Sequence, residues 1–515
     1  MNEQAINLTV GITAYEPGWE IILRQIGLNW KVISDFDANI GQHYGVIILN
    51  SRCSTAQKNL LHEFLTHSGN ILSVNGNAEQ LLSISPRQMF YGSIPPITTE
   101  YGTANDILDI YSYGKTFASV HGISVHHHLN GFIINIPFDV NALMIQQRDK
   151  RKNFYSQTER MPNERVSSVS KGTLRSLITS ALEYLYHRRN LPFIHTWYFP
   201  KNEPTIFTFR IDSDKGSRDE VEELFALSEK YSIPTSWFLD VKSHESWVEY
   251  FSKFKSQEIG VHCYDHTVYK SMDENFKNFE KAIMHIRKHC GDVAGASAPR
   301  GEWNVSLGFA FEKLGLQYSS EFSFDYDNLP SYPWLGDRFS SVLQLPVHPV
   351  CPGVMRRARM TPHDQEAYFR DTIQRKISQH EPVCLYHHPT HHFSDVFENI
   401  FRYIHEQQVT SLSYKEYASW WNKRLESSHE FSFQPETGTI TGQHRFKYSD
   451  VWLRISSASG NETIVSPEKV TLPNTIEETK RTTKGSIPHD IMKARKFDPR
   501  HILINMLEMY YRLKE

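Results

Sequence analysis

Short apolar runs alternate with helical patterns along the first part of the chain, and this alternation predicts an α/β domain. The apolar runs, which are rich in Val, Ile and Leu, are residues 6–12, 30–33, 45–49 and 70–74. Residues 55–68 have the apolar spacing of a helix. Because strands that alternate with helices are typical of parallel sheets, we expect residues 1–145 to form a parallel α/β domain.

The alternation becomes more regular between residues 204 and 425. Eight runs in this segment have the composition of strands: 205–211, 235–240, 258–262, 293–297, 316–320, 342–346, 382–386 and 409–412. Helical patterns lie between most of them, and Ser217, Ser271 and Ser413 are each followed three residues later by a Glu, which predicts capping boxes. Seven or eight such units favour a closed or nearly closed (β/α) barrel, whose functional groups lie at the carboxyl ends of the strands.

The remaining segments lack this regularity. Residues 146–203 begin with a polar, charged stretch that we interpret as a linker, and they continue with a helical pattern. Residues 426–470 contain β-like runs and predict a small β-rich domain. Residues 471–515 predict a tether and a terminal helix, for which an Asp-Pro pair provides the N-cap and the first turn.

Charge and cysteine content exclude several classes of protein. The 55 Lys and Arg residues are balanced by 58 Asp and Glu residues, for a net charge of -3, which argues against a nucleic-acid partner. The five cysteines are scattered and form no Cys-x-x-Cys pair, so a reducing compartment is expected. No apolar run approaches the ~18 residues of a membrane span. We therefore expect a cytoplasmic protein without a membrane span; the sequence does not indicate its oligomeric state.

Reactive residue types follow several of the predicted barrel strands. Asp212 and Asp214 follow the first strand, and His262 and His266 follow the third. Arg300 follows the fourth strand and the pair His387-His388 follows the seventh. Since the carboxyl ends of barrel strands meet at one rim, these side chains are expected to lie close together.

The aspartates and histidines on this rim predict a metal site. The period of two along a strand places Arg210, Asp212 and Asp214 on one face. His262 and His266 are four residues apart, a spacing that brings two imidazoles together on one helical turn to bind a single ion. One carboxylate and two imidazoles suit Zn²⁺ and leave coordination positions open for water or substrate.

These motifs, which span a little over two fifths of the chain, resemble the polysaccharide deacetylase family, the NodB-homology domain of carbohydrate esterase family 4. The resemblance implies a distorted (β/α)7 barrel. It also implies that Asp214, His262 and His266 bind the metal, and that Asp212 is the general base. The family's two aspartates are usually adjacent, whereas a serine separates them here. Either aspartate can therefore be the one that binds the metal.

Two later motifs complete the resemblance. Residues 297–301, Ser-Ala-Pro-Arg-Gly, align with a family motif whose first residue is an Arg that orients the catalytic Asp, but Ser297 occupies that position here. Arg210 or Arg300 could supply the missing charge; the alternative is a crippled site. The run Leu-Tyr-His-His-Pro at 385–389 matches the last motif and implies His388 as the general acid.

The resemblance implies a metal-dependent hydrolase that removes an acetyl group from an N-acetylated sugar, such as a precursor of a polysaccharide. A carboxylate base would assist the attack of water on the amide, and an imidazolium would protonate the leaving amine. Two alternatives stay open: a non-catalytic carbohydrate-binding or scaffold protein on a degenerate barrel, and a hydrolase of another C–N bond.

The N-terminal domain is loosely similar to the flavodoxin-like domain of class I glutamine amidotransferases. Those enzymes need a cysteine on a Gly-x-Cys-x-Gly turn. Here Cys53 lies in Asn-Ser-Arg-Cys-Ser, without a neighbouring glycine. We therefore expect the domain to lack a nucleophile and glutaminase activity.

Overall fold

The computed structural model describes residues 5–470 except positions 35, 38, 118–121, 157–159, 358 and 393, together with residues 502, 503 and 506. The described chain forms two compact units. The first contains residues 5–146, 169–202 and 421–470, and the second contains residues 147–168 and 203–420. The tether and terminal helix expected over 471–515 lie outside the described residues apart from those three positions.

The second unit is built on a sheet of seven strands in which every pairing is parallel. In chain order, the barrel strands are Phe207–Asp212, Thr235–Asp240, Glu258–Cys263, Gly295–Ala296, Tyr318–Ser319, Leu343–Gln344 and Val383–His387. Each strand pairs with the next one along the chain as far as the sixth, and the seventh pairs with the first. The predicted (β/α)7 order is confirmed. The eighth candidate, 409–412, contributes only one bridge, from Ser411 to Phe207.

Helices follow most of the barrel strands. They are Arg218–Lys230, Val241–His244, Met272–Cys290, Val305–Lys313, Pro352–Arg357, Pro362–Gln379, Ser394–Glu406 and Tyr414–Glu426, with 3-10 turns at Val248–Lys253, Pro299–Gly301 and Pro389–His391. The predicted capping boxes at Ser217 and Ser413 are confirmed, because each exchanges hydrogen bonds with the Glu three residues later. The one at Ser271 is wrong, since that side chain makes no cap bond. Its Glu lies instead in the first turn, where a negative charge favours the helix dipole.

The first barrel strand shows how alternation separates the core from the site. Phe209 and Ile211 belong to the hydrophobic core between sheet and helices, and the Phe209 ring lies 4.8 Å from that of Phe397. Successive side chains of a strand point to opposite faces, so Arg210 and Asp212 project away from this core. Both are buried, with 0% and 2% of their surface exposed.

A network of buried charges lies at the gap between the sixth and seventh barrel strands. The backbone N–H of His348 donates to the carbonyl of Cys384 at 2.8 Å and bridges the gap. Nδ1 of His348 lies 2.9 Å from one oxygen of Asp327, and Nζ of Lys376 lies 2.8 Å from the other. Burial alone would raise the pKa of Asp327, but these two neighbours hold it well below its usual range.

The segment expected to be a linker, at the start of residues 146–203, is instead part of the barrel unit. Strands Asp149–Tyr155 and Arg160–Ser167 pair as an antiparallel hairpin. The ring of Phe154 packs against that of Tyr326 at a centroid distance of 5.7 Å. The expected helix follows as Lys171–Arg188, and a strand, Phe193–Thr196, comes after it.

The charged residues that suggested a linker have partners in this hairpin. Nε of Arg165 lies 2.7 Å from Oδ2 of Asp149. Lys152 is only 4% exposed, and its Nζ donates to the hydroxyl of Tyr326 at 3.1 Å. A long charged side chain can bury its stem while its charge finds a polar partner, so charge density alone did not exclude a strand.

The first unit contains a six-stranded sheet. Its strands, in spatial order, are Ser124–His128, Gly131–Ile136, Ile71–Val74, Val46–Leu49, Val10–Ile12 and Trp30–Val32. Only the outermost strand, Ser124–His128, is antiparallel to its neighbour. In chain order the five parallel strands lie as second, first, third, fourth and fifth, an order found in doubly wound sheets. The expected parallel α/β pattern is confirmed, whereas the similarity to amidotransferases stays a prediction.

Helices and small two-stranded sheets complete the N-terminal part of this unit. The helices are Pro17–Ile26, Ile40–His43, Thr55–Thr66, Glu79–Leu82 and Val140–Ile145. The small sheets pair Arg87–Ile94 with Leu108–Thr116 and Ile97–Thr99 with Gly102–Ala104. Burial raises the pKa of the Cys53 thiol, which disfavours the thiolate. The expected lack of glutaminase activity stays a prediction.

We expect a small β-rich domain over residues 426–470, but the structure shows no separate domain there. The strands of this segment are Ser428–Gln434, Thr439–Arg445, Leu453–Ser456 and Glu462–Val465, followed by a 3-10 turn at Pro467–Lys469. The first of them pairs with Ile6–Asn7, and the third pairs with Phe193–Thr196. The segment therefore completes sheets of the first unit. No helix in the described part of the chain is long and apolar enough to cross a membrane.

Replacing Lys376 by Met should destabilise the barrel unit strongly, because it leaves Asp327 and Glu381 buried without their ammonium partner. We expect a loss of about 3–5 kcal/mol in the free energy of unfolding, measured by urea titration at neutral pH. The pKa of Asp327 is depressed in the folded state, so the loss should shrink as the pH falls below 3.8, its ordinary value. The control is Lys230→Met, which removes an exposed ion pair with Glu398 and should change stability little. Equal effects of the two substitutions would contradict this account.

Candidate metal and catalytic site

The two aspartates lie at the carboxyl end of the first barrel strand. Asp212 is the last residue of the strand, and Asp214 lies two residues later in the turn. Ser213 fixes this turn, because its hydroxyl accepts a hydrogen bond from the backbone N–H of Asp240 at 2.9 Å and lies 2.9 Å from Nε2 of His244. The turn is therefore tied to the end of the second barrel strand.

Asp214 lies among three imidazoles. Its Oδ1 is 3.0 Å from Nε2 of His262, and its Oδ2 is 3.4 Å from Nε2 of both His266 and His388. His262 lies on the third barrel strand and His266 in the loop after it, so the pair is not on a helical turn as its spacing suggested. The two rings nevertheless lie 5.2 Å apart, because the chain turns back at the strand end.

The donor atoms of this group suit a metal ion. Asp214, His262 and His266 each offer one ligand atom, and the three atoms lie within 4.8 Å of one another. Oδ1 of Asp214 and Nε2 of both histidines are buried, and none of them makes a contact of hydrogen-bonding geometry among the described residues. The close ion-pair contacts of these atoms are within the site itself. One carboxylate oxygen and two imidazole nitrogens are ligands that Zn²⁺ accepts, with a position left over for water. Buried polar atoms without partners are the observation that favours a bound cation here.

The charges within this group are strongly linked. Burial alone would raise the pKa of Asp214, but the imidazoles, His262 first, hold it well below its usual range. Burial would lower the pKa of His262, but the neighbouring carboxylates, Asp214 first, raise it to about 9. A cation bound by these residues would take the place of the proton on His262, so binding should release a proton.

Asp212 is fixed by two donors. Nη2 of Arg210 lies 2.7 Å from its Oδ2, and the hydroxyl of Ser297 donates to its Oδ1 at 3.1 Å. Arg210 is itself fixed, because its Nη1 donates to the backbone carbonyl of Ser320 at 2.5 Å and its guanidinium lies over the ring of Tyr386. Each carboxylate oxygen of Asp212 thus has its own donor.

The position that carries an Arg in the resembling family is therefore occupied by a shorter donor. Ser297 reaches Asp212 with its hydroxyl, while the guanidinium on Asp212 comes from Arg210. The rival cation, Arg300, lies in the 3-10 turn Pro299–Gly301 with a left-handed backbone, φ 59°. The sequence suggested the charge of Arg210, but no sequence signal indicated the bond from Ser297.

His388 comes directly after the seventh barrel strand. Its Nε2 is 3.4 Å from Asp214 and 4.0 Å from Asp212, and its side chain is 15% exposed. The adjacent His387 is fully buried and packs against Phe397 at 4.5 Å. Burial, the largest effect, lowers the pKa of His388. The structure thus brings His388 to both aspartates and places His387 in the core.

Asp240 is a residue of this rim that the sequence analysis missed. It ends the second barrel strand and is buried, and Sγ of Cys263 lies 3.9 Å from its Oδ1. The rule that functional groups lie at strand ends could have found it, because its strand was predicted with the correct last residue.

No family model and no curated protein matches this chain. Several solved structures are similar to part of it, among them the following three. A probable polysaccharide deacetylase from Pseudomonas aeruginosa is 15% identical, with a TM-score of 0.38, over 43% of this chain and 92% of its own. The peptidoglycan deacetylase PdaC from Bacillus subtilis is 13% identical, with a TM-score of 0.31, over 44% and 94%. A CE4 family pseudoenzyme from Bacillus anthracis is 14% identical, with a TM-score of 0.32, over 42% and 66%. These low scores leave the function to be argued from the site itself.

Replacing His262 by Ala should remove the cation held by Asp214 and the two histidines. We expect elemental analysis of the purified protein to show one equivalent of divalent metal fewer than in the wild type, since a catalytic zinc site needs about three protein ligands. His285→Ala, which alters a half-exposed imidazole 3.6 Å from Glu245, should keep the wild-type content. Equal metal content in the His262 variant and the wild type would contradict the assignment.

Proposed function

We propose that this protein is a metal-dependent hydrolase that removes an acetyl group from an N-acetylated sugar. The observation that carries the proposal is the geometry of one barrel rim. One carboxylate and two imidazoles form a set of candidate metal ligands. Beside them lie a second carboxylate, Asp212, which accepts hydrogen bonds from two fixed donors, and a third imidazole, His388. Hydrolysis of an amide with a metal needs these three kinds of group, namely metal ligands, a base and an acid.

Asp214, His262 and His266 would hold the ion, and the structure favours Asp214 over Asp212 for this role. Asp214 is the aspartate that lies within 3.4 Å of both histidines of the pair. When bound, Zn²⁺ polarises a carbonyl and makes its bound water acidic near neutral pH. The remaining steps belong to the chain's own side chains.

Asp212 would accept the proton of the attacking water. Its two oxygens are oriented by Arg210 and Ser297, so the carboxylate has one fixed direction in the site. The guanidinium balances the negative charge of the buried carboxylate. Oδ2 of Asp212 lies 4.0 Å from Nε2 of His388, so both groups face the same space.

His388 would protonate the nitrogen that leaves. Its Nε2 faces Asp214 and Asp212. The side chain of His388 is 15% exposed, more than those of Asp212 and His262. Because burial lowers the pKa of His388, its imidazolium gives up a proton readily. The products would be a free amine and acetate.

The sugar as substrate rests on the motifs that resemble the polysaccharide deacetylases, and the cytoplasmic location stays a prediction. The test is release of acetate from N-acetylated oligosaccharides by the purified protein, before and after removal of metal with a chelator. Release that disappears with the metal and returns when Zn²⁺ is added back supports the proposal. Release from other amides alone would point to a hydrolase of another C–N bond.

A second candidate function is a carbohydrate-binding or scaffold protein without catalysis. The observation that favours it is Ser297 at the position of the family's Arg. It requires binding of an N-acetylated sugar without acetate release in the metal-loaded protein. The ion pair between Arg210 and Asp212 is the reason that we prefer the enzyme.

Replacing Asp212 by Asn should abolish turnover while the metal stays bound. The amide keeps the shape of the side chain but cannot take up the proton of water, so we expect the rate of acetate release to fall roughly 100- to 10,000-fold. Metal content should match the wild type. The control is Asp265→Asn, an exposed carboxylate of the same rim that pairs with Lys242. Loss of metal in the Asp212 variant would instead make Asp212 a ligand.

Replacing Arg210 by Met tests which cation orients the base. Loss of its charge-assisted hydrogen bond, about 1.5–3 kcal/mol, should lower the rate of acetate release about 10- to 100-fold with unchanged metal content. Arg300→Met should stay near the wild-type rate. Because Arg210 is buried, Arg210→Lys is measured beside it and should recover part of the rate. If Arg300→Met has the larger effect, the role passes to Arg300.

A further inference from the structure

A second group of metal-ligating side chains lies beside the candidate active site. Cys351, His388 and His391 each offer one ligand atom, and these atoms lie within 4.8 Å of one another. Sγ of Cys351 lies 3.9 Å from Nδ1 of His391, and the two imidazole rings lie 4.4 Å apart. Cys351 is buried, whereas His388 and His391 are partly exposed.

The local fold holds these three side chains in place. Cys351 is 2% exposed and packs in a hydrophobic cluster with Phe322, Val354 and Tyr386. The backbone N–H of His391 donates to the carbonyl of His388 at 3.0 Å, which keeps the two histidines on one turn.

Gly353 provides the space for one of these imidazoles. A Cβ atom at this position would overlap the ring of His391. The first helical turn after Cys351 therefore accommodates the imidazole only because it carries no side chain there.

The distances suit a soft cation. A tetrahedral zinc ion with bonds of ~2.3 Å to sulfur and ~2.0 Å to nitrogen places a thiolate and an imidazole nitrogen about 3.5 Å apart. The observed 3.9 Å between Cys351 and His391 needs only a small contraction. One sulfur and two imidazole nitrogens form a donor set that favours zinc over magnesium or calcium.

His388 connects this group to the active site through its two nitrogens. Nε2 faces Asp214 at 3.4 Å, whereas Nδ1 is buried and has no hydrogen-bond partner among the described residues. An unpartnered nitrogen in a buried position indicates a ligand that the protein atoms do not supply. Nδ1 is therefore the atom of His388 that a second cation would bind.

We propose that Cys351, His388 and His391 form a second, thiolate-containing zinc site, and that its occupation inhibits the hydrolase. On binding, the cation gives up water ligands in exchange for the three side chains, and the thiol of Cys351 loses its proton to solvent. Any proton on the two imidazole nitrogens that bind is lost to solvent as well. His388 bound at Nδ1 keeps a proton on Nε2, but donating that proton would leave an imidazolate rather than a neutral imidazole. The ring then no longer serves as a general acid near neutral pH. The inhibitory effect rests on the proposed function, whereas the existence of the site does not.

The site is tested with Co²⁺ as a spectroscopic substitute for Zn²⁺ in the full-length protein. Excess Co²⁺ should give the wild type a sulfur-to-cobalt charge-transfer absorption in the near ultraviolet. Cys351→Ser should lose this absorption, and a zinc titration should show one bound equivalent fewer than in the wild type. Cys290→Ser is the matched control, because its half-buried thiol donates to the carbonyl of Val248 and belongs to neither group of candidate metal ligands found among the described residues.

Two further variants separate the second site from the first. Gly353→Ala should displace His391 without changing a ligand, and it should weaken the sulfur-to-cobalt absorption even if Cys351→Ser folds poorly. His262→Ala should keep the absorption while it loses the other ion. No charge-transfer absorption in the wild type, or an unchanged one in Cys351→Ser, would overturn the site.

Acetate release then tests the inhibition. Excess Zn²⁺ should lower the wild-type rate roughly 100-fold or more, the loss expected when one acid catalyst is removed, and it should leave Cys351→Ser largely uninhibited. Equal inhibition of both proteins would overturn the regulatory part and leave the site standing. If no variant releases acetate at any zinc level, the proposed function fails, and the absorption experiment still decides the site.

Discussion

The buried ion pair between Arg210 and Asp212 is the interaction on which the rest of the barrel rim depends. A carboxylate taken out of water loses several kcal/mol of solvation unless a cation and further donors replace the water. Arg210 supplies the cation from two residues earlier on the same strand, and its other nitrogen binds the carbonyl of Ser320 after the fifth strand. One guanidinium therefore connects opposite parts of the barrel interior and fixes the carboxylate that faces the candidate metal group.

Around this pair, the candidate metal ligands and the remaining imidazole lie at the ends of different strands. The turn after the first strand carries Asp214 toward His262 and His266, while Ser213 ties that turn to the second strand. The seventh strand brings His388 to the same point. Asp212 and His262 lie on strands, and Asp214, His266 and His388 lie within three residues of a strand end. The sheet therefore sets where the segments that carry these groups begin.

Much of this arrangement follows from local pattern. Alternation along a strand was enough to place Arg210 and Asp212 on one face, and the rule of strand ends brought His262 and His388 to them. The bond from Ser297 could not be predicted in this way, because the sequence shows which residue is absent from a motif but not what its replacement reaches.

The parts that the sequence did not reveal depend on partners far along the chain. A β-like run was recognised in residues 426–470, but no local pattern in the sequence indicates that the strand Ser428–Gln434 pairs with Ile6–Asn7. The hairpin of Asp149–Tyr155 was obscured by charges whose partners lie on the opposite strand or in the barrel. Cys351 and His391 come together only because the segment after the sixth strand returns to the end of the seventh.

The two compact units do not follow one another along the chain, as the hairpin of Asp149–Tyr155 and Arg160–Ser167 shows. Residues 147–168 belong to the barrel unit, yet the chain then enters the other unit before it returns at residue 203. During synthesis the hairpin leaves the ribosome before the barrel strands. Its contacts with Tyr326 and Phe322 can form only after those residues have been synthesised. A gene fragment cut at the start of the first barrel strand would thus omit part of the barrel's own core.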